Sequence, residues 1–289
     1  MDAFNNFWAI AVDWIWGLPL VILLIGAGTF FTLRGRLLPF RAVGHAIEIL
    51  RGKFDKKDDP GEISHFQALS SALSATIGMG NIAGVAIALS LGGPGAIFWM
   101  WVAGLVGMST KFYTCTLATM YRKKDENGVD QGGPMYFIEV GLGKWAKPLA
   151  VMFAACGMIG CLCLFQVNQL AELVKADYSI PNLYTGFAAA ILVGIVIVGG
   201  IKRVGKVAAK TVPAMFVLYF VSAIFIVLAN IDMIPDLLMT IVRSALGGEA
   251  VVGGAAGAGL LHVMRVGVQR AVFSNEAGTG TAPMAHGAA

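Results

Sequence analysis

Seven apolar segments separated by polar stretches constrain this chain more than any single motif. They run roughly over residues 14–33, 67–91, 96–120, 149–173, 184–200, 212–229 and from about Val251 onward. A helix crosses the hydrocarbon core of a bilayer in about 20 residues, and every backbone polar group there must find its partner within the protein. Runs of this length therefore predict an all-α, polytopic transmembrane helical bundle rather than a soluble domain. Composition agrees: charged residues make up 13% of the chain, about half the ~25% of ordinary soluble domains. The four cysteines, Cys115, Cys156, Cys161 and Cys163, lie inside apolar runs without metal-ligand spacing and read as packing residues.

The basic residues alternate with the segments. Arg34, Arg36, Arg41, Arg51, Lys53, Lys56 and Lys57 follow the first; Arg122, Lys123, Lys124, Lys144 and Lys147 follow the third; Lys202, Arg203, Lys206 and Lys210 follow the fifth. The intervening loops hold only Lys175 and Arg243. By the positive-inside rule the rich loops are cytoplasmic and the N-terminus lies outside the cell membrane. This alternation excludes nucleic acid as the partner of the basic residues; their partner is the lipid bilayer. Residues 40–50 are weakly amphipathic and suit the inner membrane surface. Residues 131–142, opening on Gly132-Gly133-Pro134, suit a short interfacial or re-entrant helix, and an ordinary cytoplasmic loop is the equal alternative for both stretches. Trp99 and Trp101 fit an aromatic interface belt. No linker or low-complexity tract divides the chain, so residues 1–289 are expected to form one transmembrane domain. The chain stops within an apolar helical run at Ala289, as expected of part of a longer protein.

The second segment carries the first chemical anomaly. Its middle reads Ser74-Ala75-Thr76-Ile77-Gly78-Met79-Gly80-Asn81, and glycine and asparagine at mid-depth weaken an intramembrane helix. Non-helical backbone is tolerated there only where it lines a cavity or is buried in protein. The seventh segment repeats the pattern in Phe273-Ser274-Asn275-Glu276-Ala277-Gly278-Thr279-Gly280. One Gly-x-Gly alone serves close helix packing equally well. Two, at corresponding positions of inverted halves, point to the binding site of a secondary transporter. Five segments per half would invert the second copy, with a first repeat over about 67–229, a second opening at about 251, and an extra N-terminal helix over about 14–33.

A broken helix offers N–H groups at one end and carbonyls at the other, a fit for a small zwitterion and its ion. Gly80 and Asn81 then face the substrate carboxylate. Carbonyls around Ser74, Thr76 and Ile77, with Phe273 and Ser274 opposite, accept an ammonium group or a hard monovalent cation, for which Asn81 is a further candidate ligand. Asn275 and Gly278 are the substrate candidates within the second interruption. Glu276 and Lys111 are intramembrane charges, costing at least ~2.5–3.5 kcal/mol unless paired, and read as structural or coupling groups. Lys111 has three options: snorkelling, pairing with Glu276, or standing near the cation. In the fourth segment Gln166 and Gln169 share a helix face with substrate contact or interhelical hydrogen bonding as their alternatives. His286 reads as a packing histidine.

These motifs resemble the alanine or glycine:cation symporter family. The resemblance rests on Gly92-Gly93-Pro94-Gly95-Ala96-Ile97-Phe98-Trp99-Met100-Trp101 and on Phe273-Ser274-Asn275-Glu276-Ala277-Gly278-x-Gly280-Thr281-Ala282-Pro283. Thr76-Ile77-Gly78-Met79-Gly80-Asn81, Thr110-Lys111-Phe112 and Gly132-Gly133-Pro134-Met135-Tyr136 add to it. It implies the leucine-transporter-like fold of two inverted five-helix repeats, the second only begun here. It also implies symport of a small neutral amino acid, alanine or glycine, with Na⁺ or less often H⁺, and no cofactor. Thr76, Gly78, Gly80, Asn81 and Phe273 inherit the substrate role, with Gln166 beside them, and the Ser74 and Ile77 carbonyls part of a cation site. Where the family often places an acidic residue three positions after Lys111, this chain has Thr114.

Two other classes are less consistent with the residues. A passive channel predicts a continuous polar stripe through the segments, whereas the polar residues gather at one depth. A membrane-embedded enzyme needs a nucleophile–base pair or metal cluster, and no Gly-x-Ser-x-Gly, His-Glu-x-x-His or phosphate-binding glycine loop is present.

Overall fold

The computed structural model describes residues 2–54, 61–162, 164–247 and 256–289. Lys56, Lys57, Cys163 and the expected start of the seventh segment at Val251 lie outside the described residues.

Helix follows helix along the chain. A helix α1 (Asp2–Ile15) precedes α2 (Leu18–Arg34), the first apolar segment. Two short helices follow, α3 (Leu38–Arg41) and α4 (Val43–Leu50). The second segment is divided into α5 (His65–Thr76) and α6 (Met79–Gly92), and the third is α7 (Gly95–Met120). A two-stranded antiparallel ladder, β1 (Lys123–Lys124) with β2 (Asp130–Gln131), leads to α8 (Pro134–Leu142). Next come α9 (Lys147–Gly160), α10 (Leu164–Tyr178), α11 (Asn182–Ile197) and α12 (Gly200–Ala229). The chain closes with α13 (Ile234–Ala245), α14 (Ala256–Asn275) and α15 (Thr281–Gly287).

Among the described residues, four stretches are long and apolar enough to cross a membrane: Phe4–Arg34, His65–Gly92, Lys144–Tyr178 and Gly200–Ala229. The 26-residue α7 spans about 39 Å at 1.5 Å per residue and carries Lys111. Large apolar side chains are on the outside, among them Leu218, Phe225 and Leu192, while the buried positions are mostly alanine: Ala68, Ala72, Ala88, Ala96, Ala103 and Ala118. Small residues inside and large ones outside is the pattern of helices that pack closely while facing lipid.

Several expectations change. The fourth segment holds two helices, α9 and α10, within the single stretch Lys144–Tyr178 that is long and apolar enough to cross a membrane. The sixth begins at Gly200 instead of 212, so Lys202, Arg203, Lys206 and Lys210 belong to the first turns of α12 rather than to a loop. Residues of the expected loop before the seventh segment form α13, whose Leu237, Leu238, Ile241 and Val242 repeat at helical spacing. The two interfacial candidates are helical, as α4 and α8. Cys156 and Cys161 are exposed and so do not pack a core.

The chain groups into two compact units. The first comprises Met1–Arg41, Gly84–Phe112 and Ser222–Thr279. Its core is Val21, Ala103, Val268, Ala271 and Val272, drawn from α2, α7 and α14. Trp99 packs against this core and donates its indole N–H to the Ala245 carbonyl at 3.3 Å, so it is a packing residue and not part of a lipid-facing belt. Helix α14 holds its polar side chains by specific ties: Arg265 to the Asp13 carboxylate, Gln269 to the Trp16 carbonyl, and His262 with the Leu91 carbonyl at 3.2 Å. The glycine-proline turn before α7 is a docking surface for the end of α13. A Cβ on Gly95 would lie 2.6 Å from the Ala245 nitrogen, and the Gly95 N–H donates to Ser244 Oγ at 3.1 Å.

The second unit comprises Ala42–Ala83, Tyr113–Val221 and Gly280–Ala289. Helix α5 starts on a reciprocal cap, in which Ser64 Oγ accepts from the Gln67 N–H and Gln67 Oε1 accepts from the Ser64 N–H. Ile63 and Ala68 pack with Ala289, and Lys202 pairs with Glu62 at 3.5 Å.

Candidate functional site

The second segment is unwound at two residues. Helix α5 ends at Thr76, Ile77 adopts φ −103° and ψ 22°, and α6 starts at Met79. The Gly78 carbonyl accepts from the N–H groups of Asn81 (3.0 Å) and Ile82 (3.3 Å), which makes Gly78 the N-terminal boundary of α6. First-turn N–H groups have no acceptor within their own helix, and last-turn carbonyls have no donor. Here Asn81 supplies the second set. Its side-chain amide donates to the carbonyls of Ala75 at 2.8 Å and Thr76 at 2.6 Å. Asn81 is 7% exposed, so the side chain that expectation aimed at a carboxylate is committed to fixing the carbonyl end of α5. A carbonyl oxygen has two lone pairs, so Thr76 O keeps capacity for a further donor or a cation.

Around this interruption the second unit assembles several of the expected residues. A Cβ on Gly80 would stand 3.0 Å from Gln166 Cγ and 3.5 Å from Gln166 Cδ, so the Gln166 side chain of α10 lies over the start of α6. Ser74 donates its hydroxyl to the Ser71 carbonyl (2.6 Å), and Thr76 to that of Ala72 (3.4 Å). Both hydroxyl oxygens still accept.

The second interruption is wider. Helix α14 ends at Asn275, and α15 begins at Thr281 after a turn in which Glu276 (φ 53°), Gly278 (φ 94°) and Gly280 (φ 88°) take left-handed backbone. Glycine adopts this geometry at no steric cost; for Glu276 it is a strained conformation held by its surroundings. Asn275 Oδ1 accepts from the Ala277 N–H at 2.9 Å, and Thr279 donates its hydroxyl to the Glu276 carbonyl at 2.9 Å. The Lys111 ammonium donates to the Asn275 carbonyl at 3.0 Å, a contact not among the three options read from the sequence. A cation at the carbonyl end of α14 complements the helix dipole and caps an orphan acceptor. Phe273 and Ser274 are half-buried on the last turn of α14.

Gly107, one turn before Lys111, escaped sequence reasoning. A Cβ there would lie 3.0 Å from Ala277 Cβ and 3.3 Å from Asn275 Nδ2, so glycine lets α7 approach the second interruption. Beside it is a pocket of about 10 Å³, bordered by Leu24, Ala103, Thr110, Asn275 and Ala277, enough for about one water. Thr32 donates to Ser109 Oγ at 2.8 Å and holds α2 to α7 on the same level of the unit.

Each unit pairs half of one broken segment with half of the other. In the first, Ala88 of α6, Ala96 of α7 and Val266 of α14 share one buried cluster, and a Cβ on Gly92 of α6 would lie 3.1 Å from Val266. In the second, α15 packs along α5. Helix α15 is further fixed by the Gly132-Gly133-Pro134 loop. A Cβ on Gly280 would meet Phe153 at 2.6 Å and Pro134 at 2.9 Å, and one on Gly132 would meet Gly287 Cα at 2.6 Å. Arg122 donates to the His286 carbonyl at 3.4 Å. Burial lowers the Arg122 pKa below the ordinary guanidinium value, opposed by the charge of Asp130.

Comparison with known proteins gives this geometry a family. An uncharacterized transporter of Haemophilus influenzae is 44% identical over 282 residues, covering 96% of this chain and 61% of that protein. The sodium/alanine symporter AgcS of Methanococcus maripaludis is 43% identical over 282 residues, again 96% and 61%. A probable sodium/glutamine symporter, GlnT of Bacillus subtilis, is 38% identical over 279 residues, 96% of this chain and 57% of that protein. The chain thus spans about three-fifths of the length of the relatives it matches. Its apolar helices make it a multi-pass membrane protein. The family model described as the sodium:alanine symporter family matches residues 1–289, and the chain belongs to that family.

Proposed function

We propose that the protein is a secondary active transporter that carries a small neutral amino acid, alanine or glycine, into the cell together with a monovalent cation. Na⁺ is the coupling ion of the reading and H⁺ its alternative. No covalent chemistry and no cofactor are involved. The protein sits in the cytoplasmic membrane with its N-terminus outside, in one membrane domain of leucine-transporter-like inverted repeats. The observation that carries the reading is the pairing of half-helices: α6 with α14, and α5 with α15. Two interruptions related in this way are what an inverted repeat produces from the first helix of each half.

In this reading the substrate contacts are Thr76, Gly78, Gly80, Gln166, Phe273, Asn275 and Gly278, with Asn81 behind them. The first-turn N–H groups of α6 attract the carboxylate, and glycine at position 80 keeps that approach free of a Cβ. Oxygens of Ser74, Thr76, Ile77 and Ser274 take the cation, Asn81 holding Thr76 O at a fixed position on that side. Lys111 and Glu276 set the shape of the second interruption. The names of the relatives, two with alanine and one with glutamine among the curated matches, support amino acids as the substrate class.

The test is uptake of labelled alanine by the protein reconstituted in vesicles, with and without an inward Na⁺ gradient. Accumulation above equilibrium only with the gradient is expected. Equilibration regardless of the gradient would replace symport by a passive pore.

A further inference from the structure

We propose that the start of α9 is a binding site for an anionic phospholipid, seated between Lys144 and Lys147 with an acyl chain along Val151 and Met152. The two lysines line one shallow groove with Pro148, Val151 and Met152. Lys144 opens a 3-10 turn (Lys144–Ala146) that leads into α9, Lys147 is the first residue of α9, and Val151 follows it by four residues on the same helical face. Three other lysines of the second unit meet carboxylates: Lys123 pairs with Glu139 at 3.4 Å, Lys202 with Glu62 at 3.5 Å and Lys53 with Glu48 at 2.6 Å. Among the described residues neither Lys144 nor Lys147 has such a partner. Two ammonium groups with no carboxylate partner among the described residues therefore head an apolar groove.

The position selects the ligand. Lys144–Tyr178 is one of the stretches long and apolar enough to cross a membrane, and the lysines stand at its first turn. Trp145, between them in sequence, is 73% exposed, as an aromatic residue at the level of lipid headgroups would be. Leu149, Val151 and Met152 are exposed on the turns that follow, where a soluble anion would find nothing to bind. A phosphodiester bearing two acyl chains satisfies both halves of the groove: its charge meets the lysines, and its hydrocarbon covers the apolar wall. A zwitterionic lipid brings its own ammonium group to the same place and loses the advantage. The proposal rests on the reading of this segment as membrane-spanning, but not on transport or on which side of the membrane it faces.

The test uses the protein purified in detergent, which has no inside and no gradient, so its outcome is separate from that of the uptake experiment. Native mass spectrometry compares binding of phosphatidylglycerol and of phosphatidylcholine with the same acyl chains. A preference for phosphatidylglycerol on the order of tenfold is expected from two lysines. It should fall in K144Q and in K147Q, disappear in K144Q/K147Q, and persist in K144R/K147R and in K123Q. The single variants keep the result readable should the double variant fail to fold. Equal binding of the two lipids by the unsubstituted protein, or an undiminished preference in K144Q, K147Q and K144Q/K147Q alike, would overturn the site. Displacement of the lipid by equimolar inorganic phosphate would overturn its assignment to lipid.

Discussion

Replacing Asn81 with leucine tests the first interruption most sharply. Leucine nearly conserves the volume, keeps water out of a position only 7% exposed, and removes both donors. The lost bonds run to two consecutive carbonyls of the last turn of α5, at 2.8 and 2.6 Å. Each neutral hydrogen bond contributes about 1 kcal/mol net, and an acceptor left buried without a donor costs about 1–3 kcal/mol. The ordered form of the break should therefore lose about 2–4 kcal/mol relative to alternatives in which α5 and α6 rewind or separate. At 1.4 kcal/mol per factor of ten, that shifts the population by roughly 30-fold or more. Two assays read it together: thermal unfolding of the purified protein, and initial uptake of labelled alanine in vesicles, with insertion checked by membrane extraction. We expect lowered stability, intact insertion and at least a tenfold loss of uptake. Wild-type stability and uptake would refute the claim that Asn81 holds the carbonyl end of α5. Lowered stability with full uptake would confine its role to folding.

Four further outcomes follow, three from close contacts and one from open space. Gly80→Ala should lower the unfolding midpoint by pushing on Gln166, and Gln166→Ala in the same chain should recover part of the loss; strictly additive effects in this double-mutant cycle would show that the two residues do not meet. Gly280→Ala places a Cβ against Phe153 and Pro134 in a left-handed turn, a combination expected to cost about 1–3 kcal/mol. Gly26→Ala on α2, with no neighbour within 4 Å, should leave the unfolding midpoint unchanged. Lys111→Met removes the donor to the Asn275 carbonyl, a charged hydrogen bond worth about 1.5–3 kcal/mol; faster amide exchange at the α14–α15 turn is the readout, and unchanged exchange would dismiss the cap.

What could be read from the residues was what the bilayer itself enforces. Apolar length revealed the four stretches long enough to cross a membrane, and Gly78, Gly80, Gly278 and Gly280 revealed both interruptions, because mid-membrane backbone tolerates such residues only for a reason. Other features were hidden by rival signals. Lys202, Arg203, Lys206 and Lys210 looked like a loop because they are charged, yet lysine, arginine and their alanine and valine neighbours extend α12 without difficulty. The division between α9 and α10 has no proline to announce it, and Gly157 and Gly160 alone are weak signals. Trp99 carries the signature of an interface residue; only the neighbouring Ala245 carbonyl makes it a packing one. The roles of Gly95, Gly107 and Gly132 depend on which backbone comes near them, and no local pattern encodes that.

The central claim is that one cation and one amino acid share a site built on interrupted helices, so that each favours the other. Reciprocal linkage makes this measurable in the purified protein without any membrane. Alanine binding should be followed by calorimetry at saturating Na⁺ and again with choline in its place, and Na⁺ binding with and without alanine. The account predicts that Na⁺ tightens alanine binding by about 5–150-fold, and that alanine tightens Na⁺ binding by the same factor. Alanine affinity identical in Na⁺ and in choline would contradict it.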